Sequence, residues 1–187
     1  MKHLHAVFVF CISLAAVHAQ RTALPPSCGN RQAVMQVATH GHGALPAPPE
    51  AGEAKAVFIE RADKNALPVV TRVGLDGTWL GANKGDSYFE TTISPGEHHV
   101  CTDWVLPRRF IKDAPAFDVL TAEAGKTYYF LVGVGWVQNV DLIPVTPDLI
   151  EVARGEGYMT LRLSAVNPDE GQYLVLNSKV STSSVRK

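Results

Sequence analysis

Apolar and polar residues alternate along much of the chain, and this period of two limits the fold more than any other feature. The pattern runs through residues 57–60, 69–76, 88–93 and 98–104. Successive side chains of a β-strand point to opposite faces of the sheet, so such segments predict strands with one face turned to a core. We therefore predict a run of strands in the order of a meander.

Short turn signals separate these segments. Asp76-Gly77 is typical of a tight hairpin, because glycine accepts the positive φ that such turns require. The segments Asn83 to Asp86 and Ser94-Pro95-Gly96 carry further turn residues. These breaks predict short strands joined by tight connections.

The second half of the chain adds three more predicted strands. Tyr128 to Val134 is continuously apolar, as expected of a strand that is covered on both faces. Val137 to Ile143 and Met159 to Leu163 are the other two.

Two short helices are also predicted. In one, Thr146 is the cap and Pro147 lies in the first turn; in the other, Asn167 is the cap and Pro168 follows. The fold class that results is mostly β, an antiparallel two-sheet sandwich with one or two short helices.

The first residues have the pattern of an export signal. A short start with Lys2 precedes an uncharged apolar run from Ala6 to Ala16, which is too short to span a bilayer as a helix. We predict cleavage after Ala19. The remaining 168 residues hold no second apolar run of spanning length, so we expect a soluble protein that is periplasmic or extracellular.

Composition divides the rest of the chain into three parts. Residues 20–55 are predicted to be an N-terminal arm and a Pro/Gly-rich linker, residues 56–179 the sandwich domain, and residues 180–187 a disordered tail. With 46% hydrophobic residues, the chain can build one core. No basic patch indicates a nucleic-acid partner.

The cysteines indicate a disulfide. Cys11 lies in the signal, which leaves Cys28 and Cys101 as a pair in an oxidising compartment. A link over this separation would stabilise the fold by about 4 kcal/mol in the chain-entropy model. The alternative is two unpaired thiols.

Several residues have the chemistry of a catalytic site but not its spacing. His99, Cys101 and Asp103 share a predicted strand face, yet neighbours at i and i+2 lie about 6.6 Å apart, beyond the contact that a nucleophile and a base need. Acidic residues near turns are weighed as a general acid and base pair, but turn chemistry explains most of them: Asp76, Asp86, Glu90 and Glu97. We predict a protein that is not an enzyme.

The histidines are weighed as metal ligands. His40 and His42 lie in the predicted arm, and His98 and His99 point to opposite faces of one strand. This spacing does not favour chelation of one ion, so neither a metal nor another cofactor is predicted.

Aromatic residues could form a binding surface for a sugar or a partner protein. The residues that would form it are Trp79, Tyr88, Trp104 and Trp136. The competing interpretation is that at least two of the three tryptophans are core anchors, as large aromatic side chains commonly are.

Two segments carry a resemblance to a known family. They are VGLDGTWLGANKGDSYFETTISPGEHHV and the later AEAGKTYYFLVGV. The chain resembles an uncharacterised bacterial domain-of-unknown-function family of secreted proteins and lipoproteins, and more loosely the PEGA-type domains of the cell envelope. The resemblance covers residues 55–179 and departs from the family at residues 144–157 and in lacking a lipoprotein signal.

The resemblance implies an envelope location and an immunoglobulin-like or transthyretin-like sandwich, and it brings no catalytic residues. The function expected is therefore that of an exported, non-enzymatic cell-envelope module that contacts another envelope protein or a cell-wall component. The alternative is a domain that binds a small ligand or a carbohydrate.

Overall fold

The computed structural model describes residues 28–30, 32–61, 69–105, 115–137 and 158–185. Within these ranges the chain forms strands and one α-helix, α1. The elements, in chain order, are β1 Met35–His40, β2 Ala54–Glu60, β3 Val70–Leu75, β4 Thr78–Lys84, β5 Ser87–Ile93, β6 Gly96–Val105, β7 Ala116–Ala122, β8 Thr127–Val137, β9 Tyr158–Val166, α1 Pro168–Leu176 and β10 Lys179–Val185.

The strands form two sheets. One has six strands in the order β1-β10-β5-β2-β8-β9, and the other has four in the order β4-β3-β6-β7. The prediction of a mostly β, two-sheet sandwich with a short helix is confirmed. No helix in the described ranges is long and apolar enough to cross a membrane.

Two of the strand pairs are parallel, which the alternation pattern did not indicate. Strand β2 pairs in parallel with β8, and β10 pairs in parallel with β5. A parallel pair requires a crossover connection. Between β2 and β8 the chain forms all four strands of the other sheet before it returns. The other pairs are antiparallel.

The central strand β2 is buried along its whole length. Phe58 faces the four-stranded sheet and lies 5.3 Å, between ring centroids, from both Phe89 and Phe130. Val57 and Ile59 face the other way, toward Tyr129 and α1. Because both faces of β2 are apolar, it needs a layer on each side, and the second sheet and the helix supply them.

The predicted linker is wrong, because residues 20–55 contain an ordered strand and a fixed segment. Strand β1 pairs antiparallel with β10. The segment after β1 is held by side chains of the sheet. The Tyr88 hydroxyl donates to the Ala44 carbonyl and accepts from the Ala44 amide. Lys55 Nζ donates to the Ala47 carbonyl at 2.7 Å. These bonds fix the Pro-rich segment across the outer face of the six-stranded sheet.

The predicted tail over residues 180–187 is also wrong as far as Val185, because β10 lies there between β1 and β5. The hydroxyls of Ser181 and Ser183 bond to the backbone of Ala82 in β4 and so tie the two sheets together. Three calls fall outside the described residues: the signal segment 1–19, the helix at Thr146, and the strand to Ile143 beyond Val137.

Helix α1 begins as the sequence predicts. The Asn167 side chain accepts from the Glu170 amide at 2.9 Å, and Pro168 occupies the first turn, where its missing N–H has no partner to lose. The helix packs on β8 through Gly171, where an added Cβ would lie 2.2 Å from the Cγ of Tyr129. Only glycine allows this close approach.

We predict that Gly171→Ala destabilises the protein, although the same change in an exposed helix would stabilise it by about 1 kcal/mol. The new methyl group overlaps the Tyr129 side chain, so the helix must move off the sheet at a cost of about 2 kcal/mol. Urea unfolding measures the difference. A variant as stable as the wild type, or more so, would contradict the packing described here.

Candidate functional site

The aromatic residues predicted to form one surface are in separate places. Tyr88 and Trp104 are buried, at 5% and 4% exposure, so neither can belong to an exposed platform. Trp79 is partly buried in the four-stranded sheet, and Trp136 lies in β8 with a side chain outside the described part of the structure. The prediction of a shared aromatic surface is wrong for Tyr88 and Trp104, because the opposite sheet covers Trp104, and the Ala44 segment on the outer face of the six-stranded sheet covers Tyr88.

Cys28 and Cys101 form the predicted disulfide, with Cα atoms 5.6 Å apart. The disulfide fastens residues 28–30 and 32–34, which we call the strap, to the outer face of the four-stranded sheet. The strap passes over Gly74 of β3, where an added Cβ would lie 2.4 Å from the Cys28 carbonyl oxygen. Cys101 is therefore a structural residue and has no free thiol.

A buried ion pair holds the strap at a second point. Arg72 donates to Asp103, and the same guanidinium donates to the Ala33 carbonyl at 2.7 Å. The guanidinium carbon Cζ of Arg72 lies 4.4 Å from the centroid of the Trp79 ring. The Trp79 indole N–H donates to the Asn30 carbonyl at 2.9 Å. Trp79 and Asp103 thus anchor the strap rather than a ligand.

Asp76, His98 and Ser94 form a contact between two exposed turns, and the sequence gives no local sign of it. His98 Nδ1 lies 2.7 Å from Asp76 Oδ2, and Nε2 lies 2.8 Å from the Ser94 carbonyl oxygen and 3.4 Å from Ser94 Oγ. The His99 amide donates to the other carboxylate oxygen, Oδ1, at 2.8 Å. We call this group the turn clamp.

The turn clamp has the residue types of a Ser-His-Asp triad but not its chemistry. A carboxylate and a carbonyl oxygen only accept hydrogen bonds, so the two short contacts of His98 suit a ring that carries a proton on both nitrogens. An imidazolium has no lone pair with which to take the proton of Ser94 Oγ. The arrangement is therefore suited to holding two turns together, not to activating a nucleophile.

The charges of the turn clamp stabilise each other. Burial by itself would raise the pKa of Asp76, but hydrogen bonds from His98 and from the His99 amide, together with the charges of both histidines, hold it below 3.8. Burial would lower the pKa of His98, but the bonds to Asp76 and Ser94 and the charge of Asp76 hold it above 6.5.

The turn clamp lies at one end of the sandwich, which we call the turn end. Gly96 pairs with Ala122, so the turn after β7 is beside the turn before β6. The Gly125 amide donates to the Glu53 carbonyl, which adds the turn before β2. The acidic side chains of the turn end are Glu50, Glu53, Asp76, Glu97 and Glu123. Lys126 lies among them and pairs with Glu123 at 2.9 Å.

The other candidate residues are dispersed. His40, the last residue of β1, and His42, just after it, are exposed, whereas His98 lies in the other sheet. Asp86 pairs with Arg61 at 3.4 Å, and Glu90 pairs with Lys55 at 3.0 Å. Among the described residues, no three His, Cys, Asp or Glu side chains converge in a way that could hold a metal ion.

A second group, which the sequence did not indicate, lies inside the sandwich. We call it the interior polar cluster. Its members are at most 4% exposed: Glu60, Thr71, Asn83, Thr102 and Trp104. Four of them have a side-chain atom with no hydrogen-bond partner among the described residues: Glu60 Oε2, Asn83 Oδ1, Thr102 Oγ1 and Trp104 Nε1. A buried polar atom left in this state costs about 1–3 kcal/mol.

Glu60 is the one ionisable member of the interior polar cluster. Burial raises its pKa to about 8, and the negative charge of Asp86 acts in the same direction. Hydrogen bonding by the Thr71 hydroxyl and by the Gly85 backbone acts to lower it. The carboxyl group is therefore mostly protonated at neutral pH.

Comparison with protein-family models, with curated proteins and with solved structures found no match to this chain.

We predict that Asp76→Asn lowers stability by about 1 kcal/mol in a defined range of pH, because the variant keeps the turn but removes the charge that faces His98. The charge of Asp76 stabilises the fold fully above about pH 3.8, and the charge of His98 does so fully below about pH 6.5. The loss of stability in the variant is therefore largest between these two pH values. It declines at higher pH as His98 loses its proton, and at lower pH as Asp76 gains one.

Urea unfolding of both proteins near pH 5 and near pH 9 measures this loss, with the exposed Glu97→Gln as the matched control. Taking the difference between variant and wild type removes the contribution of Glu60, which both share. A loss that is the same at both pH values would show that no ion pair forms between Asp76 and His98.

Proposed function

We propose that the protein is an exported, non-enzymatic β-sandwich module of the cell envelope that binds a partner through its turn end. The N-terminal signal pattern and the Cys28–Cys101 disulfide support export, because disulfides persist in oxidising compartments. The resemblance to a family of secreted proteins and lipoproteins supports the envelope location.

The observation that carries the proposal is the turn clamp. Binding residues are often on loops that a rigid scaffold positions, and fixing loops in advance reduces the entropy lost on binding. Here a charged hydrogen-bond pair fixes the Asp76 turn against the Ser94 turn, and residues 94–97 remain exposed. A fixed pair of exposed turns is what a recognition surface requires.

A binding role accounts for the chemistry-bearing residues better than catalysis does. Cys101 is held in the disulfide, and Asp103 is paired with Arg72. The two ring nitrogens of His98 face Asp76 and the Ser94 carbonyl, and Ser94 Oγ is only the longer contact of Nε2, at 3.4 Å. Each of these residues has a structural partner that explains its presence.

The charge of the turn end indicates the kind of partner. Its five carboxylates outnumber the positive groups among them, which are Lys126, His98 and His99, so the surface favours an envelope protein or cell-wall component that presents positive charge. Binding of this kind weakens as salt rises, because exposed charges are screened.

We predict that a photo-cross-linking amino acid at Pro95, in the exposed turn, captures a specific partner in cells that express the protein naturally. The double variant Glu97→Gln/Glu123→Gln should reduce the yield several-fold, because it removes two exposed carboxylates from the turn end. The measurement is the amount of cross-linked product after purification of the tagged protein.

Two matched controls make the result specific. A cross-linker at exposed Thr182 on β10 reports contacts of a different surface, and Asp169→Asn removes an exposed carboxylate from α1. If Pro95 captures nothing beyond what Thr182 captures, or if the acidic double variant leaves the yield unchanged, the turn end is not the binding surface.

A further inference from the structure

The turn between β3 and β4 contains a chemically labile pair of residues. Asp76 and Gly77 form its two-residue loop, with φ angles of 49° and 81°. Glycine puts no side chain between its amide nitrogen and the preceding carboxyl group, so the two can react with each other. No other aspartate in the chain, and no asparagine, is followed by glycine. The pair is therefore unique in this sequence.

The reaction open to this pair is isomerisation through a cyclic imide. The Gly77 nitrogen attacks the Asp76 carboxyl carbon Cγ and forms a C–N bond. The proton of the nitrogen and the hydroxyl of the carboxyl group leave together as one water molecule. Water then opens the ring. Addition at Cγ restores aspartate, whereas addition at the main-chain carbonyl carbon gives isoaspartate, in which the chain runs through the side chain. One water is lost and one is regained, so no other reactant is needed.

The reacting groups are accessible. The Asp76 side chain is 47% exposed, and a Cβ built on Gly77 would meet nothing within 4 Å. Within the described part of the chain, the Gly77 amide makes no hydrogen bond that would hold the nitrogen away from the carboxyl group. Neither burial nor a bond to the nucleophile therefore protects the pair.

The turn clamp restrains the carboxyl group instead, because it holds both of its oxygens. Oδ2 lies 2.7 Å from His98 Nδ1, and Oδ1 accepts from the His99 amide at 2.8 Å. The Asp76 amide also donates to the His99 carbonyl at 2.9 Å, which ties the backbone of the turn to the same strand. Ring closure removes one carboxyl oxygen as water and draws Cγ toward the Gly77 nitrogen. It therefore requires the clamp to open.

The charge of the carboxyl group acts in the same direction. The group must lose a hydroxyl, so its protonated form reacts and the carboxylate does not. Burial would raise the pKa of Asp76, but hydrogen bonds from His98 and the His99 amide, together with the charges of both histidines, hold it below 3.8. The clamp thus reduces both the freedom of the carboxyl group and the amount of its reactive form.

We propose that Asp76 is a site of isoaspartate formation and that the turn clamp keeps it in the aspartate form. Isomerisation adds a methylene group to the main chain of a two-residue turn and shortens the side chain by the same group. The modified residue can no longer bond to His98 and His99 as aspartate does, so the turn end loses its fixed shape. The inference concerns the chain's own chemistry and holds whether or not the turn end binds a partner.

The test compares the rates of isoaspartate formation during incubation in neutral buffer over several weeks. Trypsin releases residues 73–84 as a peptide with a single aspartate, in which chromatography and electron-transfer fragmentation quantify the isoaspartate. His98→Leu fills the end of the core but removes both contacts of the ring. It should isomerise at least about fivefold faster than the wild type, the factor by which loss of one charged pair raises the open fraction. A synthetic peptide of residues 73–84 should react faster still.

Gly171→Ala separates loss of the clamp from loss of the fold, because it destabilises the protein at α1 and leaves the clamp closed. It should isomerise at the wild-type rate, with urea unfolding of both variants as the measure of their stability. The proposal is overturned if the synthetic peptide forms no isoaspartate or if the wild type reacts as fast as the peptide. It is also overturned if His98→Leu reacts no faster than the wild type, or if Gly171→Ala reacts as fast as His98→Leu. None of these results bears on partner binding, which the Pro95 cross-link measures separately on freshly made protein.

Discussion

Strand β2 has no solvent-exposed face, and the arrangement of the molecule follows from this. Phe58 requires a layer of apolar side chains from the four-stranded sheet, while Val57 and Ile59 require cover from α1. The strand also pairs along both edges, antiparallel with β5 and parallel with β8. Burial on both faces and both edges fixes the order of the layers, and it leaves the last residue of the strand, Glu60, inside the protein.

The fold buries polar side chains in two places, and it compensates their burial in only one of them. At the strap, the Arg72–Asp103 pair is only about 4–7% exposed, but each partner compensates the charge of the other, and Ala33 accepts a further bond. At the interior polar cluster there is no such compensation among the described residues. The contrast is that the first pair is neutralised within the fold, whereas burial raises the pKa of Glu60 to about 8.

The sequence predicted what is encoded locally. Period-two alternation located β2, β3, β5 and β6, and Asp76-Gly77 adopts the positive φ values, 49° and 81°, that the hairpin signal implies. Asn167 caps α1 as predicted. The disulfide followed from the number of cysteines outside the predicted signal, without knowledge of the fold.

What the sequence could not predict depends on contacts between distant segments. Strands β1 and β10 are polar, and β1 lies at the edge of the six-stranded sheet, so they carry little periodic signal and form because they pair with each other. Asp76 and His98 are 22 residues apart, and nothing local indicates their contact. Trp104 was ambiguous between surface and core because a tryptophan suits both, and only the layer opposite β6 decides.

The protonation state of Glu60 tests the central claim most directly, because the claim is that β2 carries a carboxyl group into a polar interior that does not neutralise it. A pH titration of the side-chain carboxyl carbons by ¹³C NMR, with Glu60→Gln to assign the signal, gives its pKa. The account predicts a midpoint near 8, well above the ordinary value of 4.5. A midpoint near 4.5, together with those of the exposed glutamates, would contradict it, because the carboxyl group would then be solvated or paired.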